Sequence, residues 1–322
     1  MNKQYVLGID IGGTNTVIGV VDARGNVMGV TSIKTQKQAC FSDYIDDIYE
    51  ESQKLIESLN VSDSIQGIGV GAPNANYYSG TIENAANLRW KGSLPLSQLL
   101  YDKFGLPVAC TNDANAAAIG EMTYGAARGM KNFVMITLGT GLGSGIVANG
   151  QVLYGSDGFA GELGHIIVKR NNGRLCGCGR IGCLECYCSA TGVARTAREF
   201  LDRDESPSML RKIPVDEITS KDVYDAAVNG DSIAKEIFDY TGRILGEAFA
   251  DFAVFSSPEA FIIFGGLAKA GNLLIEPIKE AMEKNILFLW RNKIKILRSE
   301  LKDTDAAVLG ASALGWEAGN QN

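Results

Sequence analysis

Histidine and long apolar runs are scarce in this chain of 322 residues. It has a single histidine, and no stretch of about 18 apolar residues that could span a bilayer occurs in it. Acidic residues outnumber basic ones by 37 to 30, so the net charge of −7 offers no positive field to a nucleic-acid backbone. The first residues, MNKQYVLGIDIGG, have neither the apolar core nor the cleavage site of a secretory leader. We therefore expect a cytoplasmic protein that binds neither nucleic acid nor membrane.

Glycine is abundant, with 38 residues, which exceeds the usual share of about 7%. The hydrophobic content of 46% and the charged content of 21% are ordinary for a globular protein, which excludes a disordered or fibrous chain. The length is about twice that of a typical domain of roughly 150 residues, so one large or two medium domains are expected.

A unit of strand, glycine-rich turn, strand and hairpin occurs twice, near residues 5–33 and 132–154. Short apolar runs bounded by turn residues predict its strands, which include 4–10 and 16–22 in the first copy and 132–138 and 146–148 in the second. The segment 72–97 is rich in Asn, Gly and Pro and is expected to be mostly loop. Amphipathic or alanine-rich patterns predict helices at 42–59, 114–124, 190–255, 272–285 and 304–316.

The repeated unit predicts two α/β domains built on one plan, with a cleft between them. No linker rich in Pro or Ser separates them, so we expect segments of the chain to cross from one domain to the other. The expected boundaries give a small N-terminal domain of residues 1–113 plus 304–322. A large domain of residues 114–303 would carry a metal-binding loop.

Two glycine-rich turns join strand to strand, and a third ends a strand and precedes a helix. The first two are not P-loops, because no lysine follows their glycines, and no helix starts after the second as a dinucleotide-binding fold requires. Glycine lets the backbone approach a ligand and exposed N–H groups bind anions, so the first two turns predict phosphate binding, with ordinary hairpin turns as the alternative. The third turn is explained equally well by a simple turn at the end of a strand. An acid at the end of the first strand could hold Mg²⁺ through water. The residues are Asp10, Gly12, Gly13, Thr14, Asn15 and Thr16, then Gly139, Thr140, Gly141 and Gly143, and finally Gly265 and Gly266.

Five of the seven cysteines crowd into residues 176–188, and the single histidine, His165, lies eleven residues before the first of them. In a long chain such a cluster indicates metal binding in a reducing compartment rather than a disulfide framework. One imidazole and three thiolates would make a closed tetrahedral zinc set of the structural kind. Cys186 and Cys188 are surplus and could replace a ligand or lie as small apolar residues. A redox cluster or free thiols remain the alternative.

Asp113 follows a short strand and precedes an alanine-rich helix, in the run Thr111-Asn112-Asp113-Ala114-Asn115. Aspartate is a good N-cap, so capping is one role for it. Catalysis is another, because phosphoryl transfer to an alcohol needs a carboxylate that accepts the hydroxyl proton and orients the oxygen. One residue could do both.

Three segments resemble known loops. GIDIGGTNT near the N-terminus, LGTGLGSGIV in the middle and FGGLA late in the chain resemble the two phosphate loops and the adenosine loop of the actin/hexokinase superfamily. The resemblance covers nearly the whole chain. It implies two actin-like (ribonuclease H-like) α/β domains with ATP in the interdomain cleft.

The segment GELGH, followed by CGCGRIGCLE, is similar to the pattern of the ROK family (repressors, open reading frames and kinases). By this resemblance Asp113, in an ND motif, is the catalytic base. The resemblance also implies that His165 uses one ring nitrogen for zinc and the other for a sugar. One departure is the run Gly71-Ala72-Pro73-Asn74, where many members have glycine after the proline, and it bears on sugar specificity. The implied ligands are His165, Cys176, Cys178 and Cys183 for structural Zn²⁺, and Asn87, Asn112, Asp113, Glu162, His165 and Glu185 for the sugar.

The resemblance implies a kinase that uses ATP and Mg²⁺ to phosphorylate the 6-hydroxyl of a hexose. A glucokinase, which makes the glucose 6-phosphate of glycolysis, is the leading interpretation, and a kinase of N-acetylglucosamine or N-acetylmannosamine is the runner-up. The repressors of the family carry a helix-turn-helix before the first phosphate loop, and only nine residues precede Asp10, so we expect an enzyme. A non-catalytic scaffold is disfavoured by the intact acid, loops and sugar residues. Family members are often dimers, so a homodimer is expected.

Overall fold

The structure, a computed structural model, describes residues 4–301 and 306–320. The chain divides into two compact units. Unit 1 comprises Met1–Met130, Gly150–Gly161 and Glu300–Asn322, and unit 2 comprises Lys131–Asn149 and Glu162–Ser299. Both units combine helices with mixed sheet, so the predicted α/β class is confirmed.

The strands and helices alternate along much of the chain. The strands are β1 (Tyr5–Ile11), β2 (Asn15–Asp22), β3 (Val27–Lys34), β4 (Ile65–Gly71), β5 (Ala75–Asn76), β6 (Thr81–Glu83), β7 (Ser93–Leu94), β8 (Val108–Thr111), β9 (Phe133–Leu138), β10 (Leu142–Ala148), β11 (Gln151–Val152), β12 (Ala260–Phe264) and β13 (Lys295–Arg298). The helices are α1 (Phe41–Ser58), α2 (Leu96–Phe104), α3 (Asp113–Tyr124), α4 (Glu185–Cys188), α5 (Ala190–Arg203), α6 (Ser220–Val228), α7 (Ser232–Ser256), α8 (Asn272–Asn285) and α9 (Ala306–Asn320).

The large sheet of unit 1 has the strand order β3-β2-β1-β4-β8. β1 is antiparallel to β2 and parallel to β4, and β8 is parallel to β4. Asp10 pairs with Gly71, which in turn pairs with Thr111, so these residues are neighbours where three parallel strands end. Ligands of open α/β sheets bind at this carboxyl end of the strands.

Both faces of β1 are covered. On one face, helix α9 rests on the strand backbone, because a Cβ at Gly8 would collide with Val308 O and one at Gly69 would collide with Ala311 O. The alternate residues of β1, such as Leu7, point to the other face and join a core that includes residues of α1. Glycine on one face and large aliphatic residues on the other therefore explain why β1 is buried throughout its centre.

In unit 2, four neighbouring strands have the order β10-β9-β12-β13, with β9 antiparallel to β10 and parallel to β12. The same arrangement occurs in unit 1 as β2-β1-β4-β8, so the repeat predicted from the sequence is present in the fold. Helix α7 packs closely on α8, because a Cβ at Gly246 would collide with Ile278 O. Phe249 of α7 stacks on Phe261 of β12, with ring centroids 4.1 Å apart.

The two units divide the chain at other points than the expected domain boundaries at 113 and 304. Helix α3 lies in unit 1 because it packs against α9. The segment Gly150–Gly161 also lies in unit 1, where Tyr154 stacks on Tyr77 with ring centroids 4.1 Å apart. The expected start of the last helix, residue 304, falls outside the described residues.

Two local expectations differ from the structure, and one strand was not predicted. The expected loop at 72–97 contains a small sheet of β5, β6 and β7. Strand β10 begins at Leu142 rather than at Ile146, because Gly143 pairs with Thr137 and leaves only three residues in the second glycine turn. Strand β13 was not predicted, because four residues are too few to show an alternation of apolar and polar side chains.

Among the described helices, none has the length and apolar character needed to cross a membrane.

Candidate active site

The first glycine turn joins β1 to β2 at the carboxyl end of the unit 1 sheet. Gly12 N–H donates to Asn15 O across the turn at 3.0 Å. Thr14 and Asn15 are exposed, and Gly12 and Gly13 are half-buried. The turn therefore presents backbone and hydroxyl groups at the carboxyl end of β1, close to Asp10.

Thr16 takes no part in that exposed surface. It is fully buried, and its hydroxyl is hydrogen-bonded to the hydroxyls of Thr35, at 2.8 Å, and Tyr44, at 2.5 Å. Alternate residues of a strand point to opposite faces, so Thr16 faces the core while Asn15 faces solvent. Thr16 supports the turn from within instead of offering its hydroxyl to a ligand.

Asp113 is the first residue of α3, and the N-cap is its neighbour Asn112. The Asn112 side chain accepts a hydrogen bond from Asn115 N at 2.7 Å, which is the usual capping bond. The capping role considered for Asp113 therefore belongs to Asn112. The Asp113 carboxylate accepts from Ala114 N at 2.9 Å, and its side chain is exposed.

The pKa values of Asp10 and Asp113 are both raised above the ordinary range. Burial, and after it the negative charge of Asp113, raise the pKa of Asp10 to about 6. Desolvation also raises the pKa of Asp113, although its side chain can be reached by solvent. Carboxylates with raised pKa values are stronger proton acceptors than ordinary ones and are typical of catalytic sites.

Asn87 lies against the first glycine turn. A Cβ at Gly13 would be 3.2 Å from Asn87 O and 3.5 Å from Asn87 Nδ2, so only glycine leaves ordinary space there. The Asn87 side chain is exposed. Unit 1 thus brings together Asp10, the first glycine turn and Asn87, with Asn112 and Asp113 near the strand end at Thr111.

The second glycine turn, Gly139-Thr140-Gly141, is held from behind by the start of α5. Ala190 N donates to Gly139 O at 2.9 Å, and the Thr191 hydroxyl donates to Thr140 O at 2.8 Å. Gly139 and Thr140 are exposed. Because residues of α5 donate hydrogen bonds to two of its carbonyl oxygens, the turn has a fixed shape.

The third glycine turn lies beside the second in unit 2. Gly265 has a φ of 103°, and a Cβ there would collide with Leu138 O at the end of β9. The parallel strands β9 and β12 are neighbours, so their carboxyl ends place both turns at one sheet edge. Gly266 has open space around it.

The predicted metal ligands converge in unit 2. One ligand atom from each of four residues lies within 4.8 Å of the other three, and the residues are His165, Cys176, Cys178 and Cys183. Nδ1 is the ring nitrogen that faces Cys176 Sγ, at 3.7 Å, and the sulfurs of Cys178 and Cys183 are also 3.7 Å apart. The surplus thiols are not part of this set: Cys188 Sγ is within 3.5 Å of Thr241 O, and Cys186 Sγ is within 3.7 Å of the carbonyl oxygen of Leu175, the residue before Cys176.

Glu185 connects this cluster to the second glycine turn. Its Oε2 accepts from Leu142 N at 2.9 Å, and its Oε1 lies 3.7 Å from Cys176 Sγ. Glu162 is exposed at the start of a short 3₁₀ turn, Leu163–His165, and the N–H of Leu163 donates to Ser144 Oγ of β10 at 3.1 Å. The predicted sugar ligands of unit 2 are therefore anchored to the strand that follows the second glycine turn.

Arg174, two residues before the first cysteine of the cluster, was not predicted from the sequence to have a role. Its guanidinium is buried, pairs with Glu199 at 2.6 Å and donates to Cys186 O at 2.7 Å. The ring of Tyr187 lies 4.5 Å from the guanidinium carbon. A buried, bidentate arginine of this kind fixes the chain on both sides of the cluster. Only its closeness to the cysteines could have drawn attention to it.

Two units of one plan, each with a glycine turn between its first two strands, define an actin-like α/β protein, so the fold class is confirmed.

The ROK family model matches residues 6–317. The chain is 40% identical to a glucokinase of Halalkalibacterium halodurans over 98% of this chain and 95% of that protein. It is 33% identical, with a TM-score of 0.79, to a ROK family glucokinase from Streptomyces griseus solved with glucose and AMPPNP, over 97% and 99% of the chains. A ROK family transcriptional regulator, a homologue of the E. coli MLC protein, is 28% identical with a TM-score of 0.87, over 98% of this chain and 78% of the regulator. The chain belongs to the ROK family, as its motifs predicted.

Proposed function

We propose that this chain is an ATP-dependent glucose kinase that phosphorylates the 6-hydroxyl. The glucokinases of two organisms, at 40% and 33% identity over nearly the whole chain, support the activity and the substrate. The observation that carries the proposal is the position of the Asp113 carboxylate, at the strand end beside Asp10 and Gly71. In that position Asp113 can act as a general base, and its acidic neighbour Asp10 can bind the Mg²⁺ that accompanies the nucleotide.

Asp113 acts as the general base. As the sugar oxygen attacks the γ-phosphorus, its proton passes to the Asp113 carboxylate, a new O–P bond forms, and the bond to the departing ADP oxygen breaks. The raised pKa of Asp113 makes it a better proton acceptor than an unperturbed aspartate. The bond from Ala114 N fixes the orientation of the carboxylate.

The glycine turns bind the phosphates through backbone N–H groups and exposed hydroxyls, and the third turn lies against the adenosine. Asp10 suits Mg²⁺, because a divalent cation would offset both influences that raise its pKa, burial and the charge of Asp113. When bound, Mg²⁺ supplies positive charge that neutralises the phosphates. The contributing residues are Gly12, Gly13, Thr14 and Asn15, with Thr16 as support, then Gly139, Thr140, Gly141 and Gly143, and finally Gly265 and Gly266.

The sugar hydroxyls are bound by side chains with complementary donors and acceptors. Asn112 uses its oxygen to cap α3, so its amide N–H₂ is the end that can donate to the sugar. His165 turns Nδ1 to the cysteines, so Nε2 is the nitrogen for the sugar. Asn87, Asp113, Glu162 and Glu185 complete the proposed set.

The cysteine cluster suits a structural zinc ion. In a tetrahedral site with Zn–S bonds of about 2.3 Å, neighbouring ligand atoms are about 3.8 Å apart. The separations of 3.7 Å between Cys178 and Cys183, and between Cys176 and His165, match that value. When bound, zinc would fix the loop that carries His165 and Glu185, and such thiolates need a reducing compartment, which supports a cytoplasmic location.

A homodimer remains our proposal for the assembly. Val254 and Phe255, near the end of α7, are 63% and 60% exposed, which is unusual for large apolar side chains. Light scattering on the purified chain would decide it, with a mass near twice 34.4 kDa expected and a mass of one chain contradicting it.

A coupled ADP-release assay tests the proposed function. We expect the highest kcat/KM with glucose among glucose, mannose, fructose, N-acetylglucosamine and N-acetylmannosamine. A preference for an N-acetylhexosamine would replace glucose as the substrate. Release of no ADP with any of these sugars would contradict the proposal.

A further inference from the structure

The segment that follows β3 touches two of the proposed binding elements at once. Thr35 N donates to Thr14 O at 3.1 Å, within the first glycine turn. The side-chain amide of Gln36 donates to Gly13 O, in the same turn, and to Asn87 O, at 3.1 Å. One exposed glutamine therefore joins the proposed phosphate turn to the proposed sugar residue, within unit 1.

The chemistry of this link requires a hydrogen-bond donor at residue 36. Both partners of Gln36 are backbone carbonyl oxygens, which only accept hydrogen bonds, and an amide N–H₂ has two hydrogens to donate. A carboxylate at the same place would face two oxygens with no proton to share. Glutamate is therefore a harsher replacement than alanine, although it has nearly the same shape.

The backbone of the segment is fixed by the loop that carries Asn87. Arg89 Nη1 donates to Gln36 O at 3.2 Å and to Gln38 O at 3.1 Å. Trp90 Nε1 donates to Ala39 O at 3.0 Å. The loop and the segment thus form one hydrogen-bonded layer, and Gln36 connects that layer to the glycine turn.

We propose that Gln36 is a positioning residue that couples nucleotide binding to sugar binding. Ordering of the glycine turn by the phosphates fixes Gly13 O, Gln36 transmits that order to Asn87, and the sugar then binds a loop that is already ordered. Because coupling is reciprocal, a bound sugar strengthens nucleotide binding by the same factor. This inference rests on the proposed function, since it deepens the role of the same site.

Calorimetry on the full chain measures the coupling directly. The quantity is the ratio of the glucose Kd without AMPPNP to the Kd at saturating AMPPNP and Mg²⁺. We expect a ratio above about 3 for the unsubstituted chain, a reduced ratio for Gln36→Ala and a ratio near one for Gln36→Glu. In steady-state assays, KM for glucose and for ATP should rise together, about fivefold in Gln36→Ala and more than about tenfold in Gln36→Glu, with kcat changed less than about twofold.

A neighbouring glutamine provides the control. The Gln38 amide donates to the Asp47 carboxylate at 2.9 Å and touches neither binding element through its side chain. Gln38→Ala should keep the Kd ratio and both KM values of the unsubstituted chain. A loss of thermal stability in Gln36→Glu with unchanged KM values would indicate a purely structural role and overturn the proposal.

The inference and the proposed function fail in different ways. A ratio of one in the unsubstituted chain, or an unchanged ratio in Gln36→Glu, would overturn the coupling while leaving kinase activity intact. Absence of ADP release with glucose would overturn the proposed function. In that case the ratio is measured with whichever sugar of the panel binds, and the same two results decide the coupling.

Discussion

Asp10 and Asp113 lie on the two sides of Gly71, where three strands of unit 1 end. A Cβ at residue 71 would be 3.7 Å from Asp10 Oδ1 and 4.0 Å from the Cα of Asp113. The negative charge of Asp113 contributes to raising the pKa of Asp10 to about 6. Two acids so close are unfavourable for the folded chain alone, and they suit a site that receives a cation and a proton.

Replacement of Asp10 by asparagine should stabilise the protein at neutral pH. The folded-state pKa of about 6 lies above the usual 3.8, so the folded state binds the proton more tightly. Stability therefore falls as pH rises from about 4 to about 6 and stays lower above that range. Asp10→Asn removes this loss, which is on the order of 3 kcal/mol at pH 7, and also abolishes the proposed Mg²⁺ ligand.

Urea unfolding of both proteins at pH 4.5 and pH 7, without Mg²⁺, measures this effect. The difference in unfolding free energy between the two proteins should be larger at pH 7 than at pH 4.5. An equal difference at both values would show that Asp10 has an ordinary pKa.

Loss of one cysteine ligand should weaken both metal content and sugar binding. We expect about one zinc per chain in the unsubstituted protein and much less in Cys178→Ser, together with a rise of about tenfold in KM for glucose. Metal analysis and steady-state kinetics measure the two effects. Cys40→Ser, an exposed cysteine before α1, should change neither. A metal-free protein with full activity would contradict the zinc proposal.

A methyl group at Gly141 should disturb the link between the second glycine turn and the cysteine cluster. The Cβ of Gly141→Ala would collide with Glu185 Oε2, the atom that accepts from Leu142 N. We expect kcat/KM to fall about tenfold for both ATP and glucose, roughly the cost of a displaced charged hydrogen bond. Gly177→Ala, where a Cβ has open space, should retain activity, and equal effects of the two substitutions would argue against the link.

Much of the fold could be predicted because its elements have strong local patterns. The apolar run of β1 and the amphipathic spacing of α1 are visible in the sequence and lie within a residue or so of their predicted ends. Residues 75–94 could not be predicted in this way, because strands of two or three residues have too few positions to show a period. The N-cap of α3 is Asn112, not Asp113. The sequence could not distinguish the two, because asparagine and aspartate are both good N-caps and these residues are adjacent.

The candidate site was predictable where chemistry sets the residue type. The crowding of cysteines near the single histidine indicated a metal site, and the resemblance to the ROK family implied the four ligands that converge in the structure. Gln36 and Arg174 were missed because a glutamine or an arginine has no local signature, and their roles depend on partners 51 or 25 residues away. The buried position of Thr16 was missed because turn residues were assumed to face a ligand.

The central claim is that Asp113 accepts the proton of the glucose 6-hydroxyl. ³¹P NMR of reactions with Mg²⁺, ATP and glucose measures it most directly, with Asp113→Asn beside the unsubstituted chain and glucose affinity checked by calorimetry. We predict glucose 6-phosphate from the unsubstituted chain and a rate at least about 10²-fold lower from Asp113→Asn, with near-normal glucose Kd. Equal rates from the two proteins, or a product phosphorylated elsewhere, would contradict the account.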